Sequence, residues 1–530
     1  MDSSTVPRTY PRHYVSKLVP SSAASITILL IAASVVDSVL LGYDSSLMGS
    51  LNVMPTYLGY FTLTTATKSL NTAISYVGGA CAAVPAGFVT DWRGRRETIY
   101  WSCPITLIGA GIQSAAQNIG MFIAGRFILG FGMAFATTAA PTYVSETVPQ
   151  KWRGLALGLY YSCWCVGTLI ASGVCYRSQY IPSTWAWRLP SVLMVIWSIL
   201  CAVVLLFVPE SPRWLIAKDR GDEALEVLAL VNANGDKSDP AVLLQYREIS
   251  DTIAWEKGEG RQLTLREACT NPGNRKRLII TVAFSAMNMF SGNNVIAYYF
   301  GTMLAQAGIT SATTQLEINV ILNAFALTIA VLGSIFVDKV SRKGLCVWSL
   351  VGQIVAFYIF AGLSAKYGNS TDKSGIYATI AMLFIFIGAY AYGMTPLTVL
   401  WPPEVLSYRL RATGMGLYTL TSRLGGLFIT MVFPFGLGAI GWKMWVINAS
   451  VDILMVIFVI YYFVETGGLT LEEVDSRFDG EKHSSVPDLH DLQKVLEEES
   501  GKAIWLTEGV PVPVEESVAV NTVDGKGKVA

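Results

Sequence analysis

Among the ionisable residues inside long apolar runs of this 530-residue chain are Asp44, Arg126 and Arg423. A charge at bilayer depth is costly, so it faces either a partner or a watery pathway. Asp44 and Arg126 lie two and five residues from the outer ends of their runs, the last residue of one and the first of the other. At 1.5 Å of rise per residue their depths differ by only ~5 Å, so they are placed to pair. A deprotonated Asp44 would hold Arg126, and protonation would release it, which couples a proton to a conformational step. The alternative is a static structural pair. Asp37, two turns before Asp44, is read as structural. Arg423 is ten residues into its run, ~15 Å deep and near the midplane of a ~30 Å core. That is too deep for its side chain to reach either surface. It must face a cavity, where it would attract an anionic solute, or pair with a buried acid such as Glu317 or Asp452.

The elements carrying these residues follow from composition. The chain is 52% apolar and only 14% charged, whereas a soluble protein carries roughly a quarter charged residues. An ordinary soluble enzyme is therefore excluded. The 38 basic and 38 acidic residues balance, so no nucleic-acid partner is expected. Eight scattered cysteines, seven of them in apolar runs, make a poor disulfide framework, and no Cys/His cluster suggests a metal. His13, His483 and His490 all lie in the polar ends, and no Gly-rich nucleotide loop is present. No cofactor is expected.

Twelve runs approach the ~20 apolar residues a spanning helix needs: 24–46, 70–90, 98–117, 121–143, 155–175, 189–208, 278–303, 318–337, 345–365, 376–401, 413–436 and 442–463. The expected organisation is a cytoplasmic N-terminal tail (1–23), a six-helix half (24–208), a cytoplasmic helical linker (209–277), a second six-helix half (278–463) and a cytoplasmic, largely disordered acidic tail (464–530). With both termini inside, 30 of the 38 basic residues fall in cytoplasmic segments, as the positive-inside rule requires. Asn369-Ser-Thr then lies in an external loop, where it is a glycan acceptor, whereas Asn448-Ala-Ser lies within a span and stays bare.

Charged motifs recur about 250 residues apart. Asp91-Trp-Arg-Gly-Arg95 after the second run is echoed by Asp338-Lys-Val-Ser-Arg342 after the eighth. Glu146 with Arg153 after the fourth is echoed by Glu404 with Arg411 after the tenth. Glu210 with Arg213 after the sixth is echoed by Glu465 after the twelfth. Three echoes in one order imply a duplicated six-plus-six architecture, one of the main transporter plans. Acids repeat as regularly as bases, so these clusters read as a cytoplasmic gate of re-pairing ions as well as topological signals.

The Asp-x-x-Gly-Arg-Arg loop, Pro141-Thr-Tyr-Val-Ser-Glu146, Pro209-Glu-Ser-Pro-Arg-Trp214 and Ser291-Gly-Asn-Asn-Val-Ile-Ala-Tyr-Tyr299 resemble the sugar porter family of the major facilitator superfamily over about residues 24–480. Gly42-Tyr-Asp44-Ser-Ser, Glu404-Val-Leu-Ser and Val464-Glu-Thr look most like its fungal lactose-permease-like and hexose-transporter branch. The resemblance implies an all-α membrane fold and a proton-coupled symporter of sugar or polyol at the plasma membrane, with Asp44 and Arg126 matching the proton site of coupled members. It implies sugar contacts from Asn294, with Asn288 standing for a usual glutamine, Met289 for another, and Tyr161 for a usual Gln or Asn. Val399 replaces a common tryptophan, with Trp401 close by. Asn293, Asn319 and Asn323 complete the candidate set, with helix–helix hydrogen bonding as their alternative role. Arg423 departs from the branch, which tends to carry asparagine there, and this leaves an acidic sugar or other non-sugar solute open. A transporter-like sensor is the remaining alternative, although its tail here is short.

Overall fold

The computed structural model describes residues 14–257, 265–336, 340–368, 370, 372–407, 410–467, 474 and 477–478. Twelve helical spans follow one another: span 1 (Ala23–Leu51), span 2 (Thr65–Arg93), span 3 (Arg95–Ser114), span 4 (Ile119–Thr147), span 5 (Gln150–Ser178), span 6 (Trp185–Leu205), span 7 (Pro272–Phe290 with Asn293–Gln306), span 8 (Ala312–Phe336), span 9 (Arg342–Tyr367), span 10 (Lys373–Ala389, a π turn at Tyr390–Met394, then Thr395–Val405), span 11 (Arg411–Ile440) and span 12 (Lys443–Tyr462). Among the described residues nine of these are long and apolar enough to cross a bilayer unaided, and span 2 makes a tenth.

Three interruptions shape the bundle. Span 2 bends by 50° at Pro85, which supplies no N–H to the helix ladder. Span 7 breaks at Ser291-Gly292, where Gly292 has φ +91°. A Cβ there would sit 2.4 Å from the Phe357 ring, so only glycine fits. The break frees the Phe290 carbonyl, and Asn448 Nδ2 donates to it at 2.8 Å. The asparagine of the second Asn-x-Ser motif is thus a buried structural ligand. Span 10 widens to a π turn where Tyr390 enters the bundle, a common device at functional positions.

Spans 1 and 5 pack backbone to backbone. A Cβ on Gly42 would lie 1.9 Å from the Trp164 carbonyl, and one on Gly167 2.1 Å from that of Val39; small residues permit such approach in membranes. Between spans 6 and 7 run four shorter helices, Pro212–Ala217, Gly221–Ala233, Pro240–Lys257 and Leu265–Ala268. Buried Glu226 of the second accepts N–H bonds from Tyr14 and Val15 and a bond from Lys237. Asn234 Oδ1 caps span 1 by accepting from Ala23 N at 2.8 Å. The linker is thereby tied to the N-terminal half. The end of the bundle bearing the linker and the repeated charged motifs is called the linker end below, and the opposite one the far end.

Candidate functional site

Asp44 and Arg126 form a buried ion pair between spans 1 and 4, with the Arg126 side chain wholly enclosed. Arg126 Nη2 also donates to Ser75 Oγ on span 2, at 3.3 Å. A buried pair of this kind is held by geometry, and removing one partner leaves an uncompensated charge. Asp37 is likewise buried but meets Tyr160, whose hydroxyl donates to it at 3.3 Å.

One residue beyond Ser75, Tyr76 crosses to the C-terminal half. Its hydroxyl lies 3.3 Å from that of Tyr298 and donates to Asn294 Oδ1 at 3.5 Å. Asn294 Nδ2 turns back to the Met289 sulfur at 3.1 Å. Nearby, Tyr390 donates from the π turn to Asn288, and Asn293 starts the second segment of span 7. Arg423 on span 11 reaches across to Thr137 on span 4, with Nη2 3.0 Å from Thr137 Oγ1, and its side chain lies along Gly79 of span 2. Asn288, Asn293, Asn294 and Arg423 are therefore gathered around one central region. Tyr76, Tyr298, Tyr390 and Thr137 belong to it too, although their types carry no charge or amide to single them out in an apolar run.

Other candidates fall elsewhere. Asn319 Nδ2 donates to Ser50 Oγ at 3.2 Å, and Asn323 donates to Asn319, so this pair bridges the halves toward the far end. Trp401 is enclosed among Phe284 and Phe463, with ring centroids at 5.2 and 4.8 Å; only four residues from the end of span 10, it packs in an apolar cluster near the linker end, apart from the central asparagines. The suggested acid partners of Arg423 are corrected as well. Glu317 accepts from Tyr176 at 2.9 Å, and both carboxylate oxygens of Asp452 are buried without a hydrogen bond. The side chains of Tyr161 and Arg153, and all of Asp338 and Asn369, lie outside the described residues.

The far end is closed by contacts between the halves. Asn52 Nδ2 donates to the Tyr298 carbonyl at 3.3 Å. A Cβ on Gly49 would sit 2.2 Å from the Ala297 carbonyl, and one on Gly301 2.3 Å from Val53.

At the linker end the sequence echo becomes a geometric one. Arg95 pairs with Glu146 at 3.0 Å and with Asp91 at 3.4 Å. Glu210 accepts the backbone N–H groups of Arg95 and Arg96, both at 3.0 Å, at the start of span 3. Ser211 Oγ donates to Glu146 at 2.5 Å. In the other half Arg342 pairs with Glu404 at 3.3 Å. Glu465 accepts from Arg342 N and Lys343 N at 2.7 and 3.0 Å at the start of span 9, and Thr466 Oγ1 donates to Glu404 at 2.8 Å. Both acids exploit the exposed donors and positive dipole of a helix start. Burial pushes the Glu210 carboxyl above the usual carboxylate range, against the pull of N–H bonds from Ser211, Arg96 and Glu97. Ser211 and Thr466 are members of the repeat that charge patterning overlooks. Arg213 opens the helix Pro212–Ala217 beside Glu210, and Arg411 opens span 11.

Twelve spans in two echoed sets of six, with a polar centre and charged clusters at one end, define a multi-pass membrane transporter of the major facilitator fold, not an enzyme. Residues 29–478 match the family described as sugar (and other) transporter, and the chain belongs to that family. Among its relatives, the sugar transporter STL1 of Saccharomyces cerevisiae is 27% identical, with 84% of this chain and 80% of that protein covered. The MFS-type transporter oryC of Aspergillus oryzae is 28% identical over 86% and 85%, and the probable metabolite transport protein CsbC of Bacillus subtilis 30% identical over 78% and 87%. The inward-open xylose transporter XylE from E. coli superposes with a TM-score of 0.69 at 19% identity, covering 86% of this chain and 99% of that one. That likeness establishes the fold.

Proposed function

We propose that this protein is a proton-coupled symporter of a sugar or related solute, of the fungal lactose-permease-like branch, resident in the plasma membrane with both termini and the linker cytoplasmic. The observation that carries the reading is the buried Asp44–Arg126 pair. It is joined through Ser75 to the helix turn that presents Tyr76 to Tyr298 and Asn294 of the other half. A proton taken by Asp44 loosens Arg126 and hence span 2, the same helix that reports on an occupied centre. Coupling needs such a shared two-state element. Relatives named as sugar transporters support the solute class, and a fold neighbour is titled a proton:xylose symporter. No cofactor takes part; substrate, proton and membrane lipid are the partners. Asn288, Asn293, Asn294 and Tyr161 contact the solute; Asn319 and Asn323 bridge the halves, and Asn369 carries a glycan on the outside.

Expression in a yeast lacking its hexose transporters tests this. Radiolabelled hexoses, pentoses, polyols and hexuronates are offered with and without a protonophore. At least one is expected to accumulate, and to stop accumulating when the protonophore is added. Uptake that ignores the protonophore would reduce the protein to a facilitator.

The linker-end clusters act as the cytoplasmic gate: Asp91, Arg95, Glu146, Arg153, Glu210 and Arg213 in one half, Asp338, Arg342, Glu404, Arg411 and Glu465 in the other. Glu146→Gln removes the charge that holds both Arg95 and Ser211. Turnover is expected to fall about tenfold, equivalent to ~1.4 kcal/mol, while surface expression stays near normal. Thiol labelling of the central cavity from the cytoplasmic side should rise. Unchanged labelling would leave these charges a purely topological role.

A further inference from the structure

We propose that Arg423 makes the central site selective for an acidic sugar, a hexuronate or aldonate whose carboxylate docks on the guanidinium. The inference rests on the transport reading above and names the substrate class of that site.

Arg423 stands twelve residues into span 11, ~18 Å from the helix start and ~26 Å from its other end. It is thus near the middle of the helix, where a charge without purpose would be strongly disfavoured. The two acids that sequence reasoning offered as structural partners are occupied or remote in the ways described. Among the described residues Arg423 makes no ion pair. Its one hydrogen bond there goes to the neutral hydroxyl of Thr137. A guanidinium carries five N–H donors, so Thr137 satisfies only a fraction of them. The remaining donors are not walled in: none of the Arg423 nitrogens is both buried and unsatisfied, in contrast to Nε of Arg126. The half-buried side chain offers a planar donor edge to the space between the halves, suited to a carboxylate's two oxygens.

The surroundings supply the rest of a sugar-acid site. Tyr76 and Tyr298 provide aromatic faces and hydroxyls, and Asn294, bonded to Tyr76, provides an amide for ring hydroxyls. Ser75, the residue before Tyr76, takes the bond from Arg126 at 3.3 Å, so the anion site and the proton site meet on one turn of span 2. A carboxylate arriving with one proton carries no net charge across the membrane, so its movement responds to the pH gradient and not to the membrane potential.

The test offers matched pairs differing only at C6, D-glucuronate against D-glucose and D-galacturonate against D-galactose. They are offered at about pH 6, where an ordinary carboxylic acid is ionised. Wild-type protein is expected to take up the acid of each pair in preference by tenfold or more. Arg423→Gln should lose acid uptake by roughly tenfold to hundredfold, the span of a hydrogen-bonded charge pair, so that the ratio of acid to neutral-sugar uptake falls by tenfold or more. Arg423→Lys should keep part of the preference. Equal uptake of acid and neutral sugar by wild type overturns the inference and leaves sugar transport standing, as does an acid preference that survives in Arg423→Gln. If neither variant reaches the surface, competition on purified wild type decides: D-glucuronate must stabilise it against heat at tenfold lower concentration than D-glucose, and parity overturns the proposal. If correctly localised wild type neither binds nor carries any sugar, acidic or neutral, the transport reading itself fails.

Discussion

Replacing Asp44 by asparagine is expected to abolish accumulation of solute while leaving exchange across the membrane intact. The amide keeps the size of the carboxyl but is permanently neutral, so it mimics one proton state only. With a gradient of one pH unit and 100 mV, each proton supplies about 3.7 kcal/mol, a ceiling of roughly 500-fold accumulation for a neutral solute. In the variant that ratio collapses to the value set by the solute's own gradient, whereas counterflow of labelled against unlabelled solute persists. Arg126, enclosed on all sides, is left without its anion, and ~3–5 kcal/mol is typical when one partner of a buried pair is lost. Surface expression must therefore be measured beside transport. A protein that reaches the membrane and still concentrates its solute with unaltered pH dependence would show that Asp44 is not the proton site.

A side chain at Gly49 is expected to trap the transporter open at its far end. A Cβ there would come within 2.2 Å of the Ala297 carbonyl and 3.3 Å of the Phe300 ring, contacts that exist only while spans 1 and 7 touch. Gly49 lies within span 1 with ordinary helical geometry, so Gly49→Val strains nothing once the halves part, and replacing glycine favours the helix itself. Transport should fall a hundredfold or more, with solute binding from the far end preserved. Thiol reagents applied from the linker end should no longer reach the cavity, in a background stripped of the exposed cysteines Cys81 and Cys269. Normal turnover in Gly49→Val would mean that this contact is not part of the cycle.

Much of this arrangement was legible because membrane insertion writes itself into composition. Each expected run overlaps a helix, and some helices overrun the apolar stretches by several residues, as span 1 does to Leu51 and span 5 from Gln150. Beyond the hydrocarbon, polar residues continue the backbone ladder at no cost in burial. The Asp44–Arg126 pairing was legible from depth alone, since two opposite charges in a low dielectric seek each other. The break in span 7 was legible only in part: Ser291-Gly-Asn-Asn294 interrupts its apolar run, but the crowding of Phe357 over Gly292 shows why the helix must part there. The tyrosines of the centre were hidden. Tyr76, Tyr298 and Tyr390 are as apolar as their neighbours along the chain, and their hydroxyls gain meaning only from partners two hundred or so residues away for Tyr76 and Tyr298, and about a hundred away for Tyr390. Trp401 misled because sequence proximity to Val399 says nothing about which side of a helix faces the centre. The repeat was visible in its charges, but Ser211 and Thr466, which tie each gate acid to the adjoining helix start, are too common a type to stand out.

The most direct measurement of coupling is proton movement in the purified, reconstituted protein. Proteoliposomes loaded with a pH-sensitive dye receive the solute that the yeast screen identifies, under no initial gradient of protons. Proton-coupled symport predicts acidification of the lumen on solute entry, abolished in Asp44→Asn. Solute entry at the wild-type rate with no change in luminal pH would contradict it.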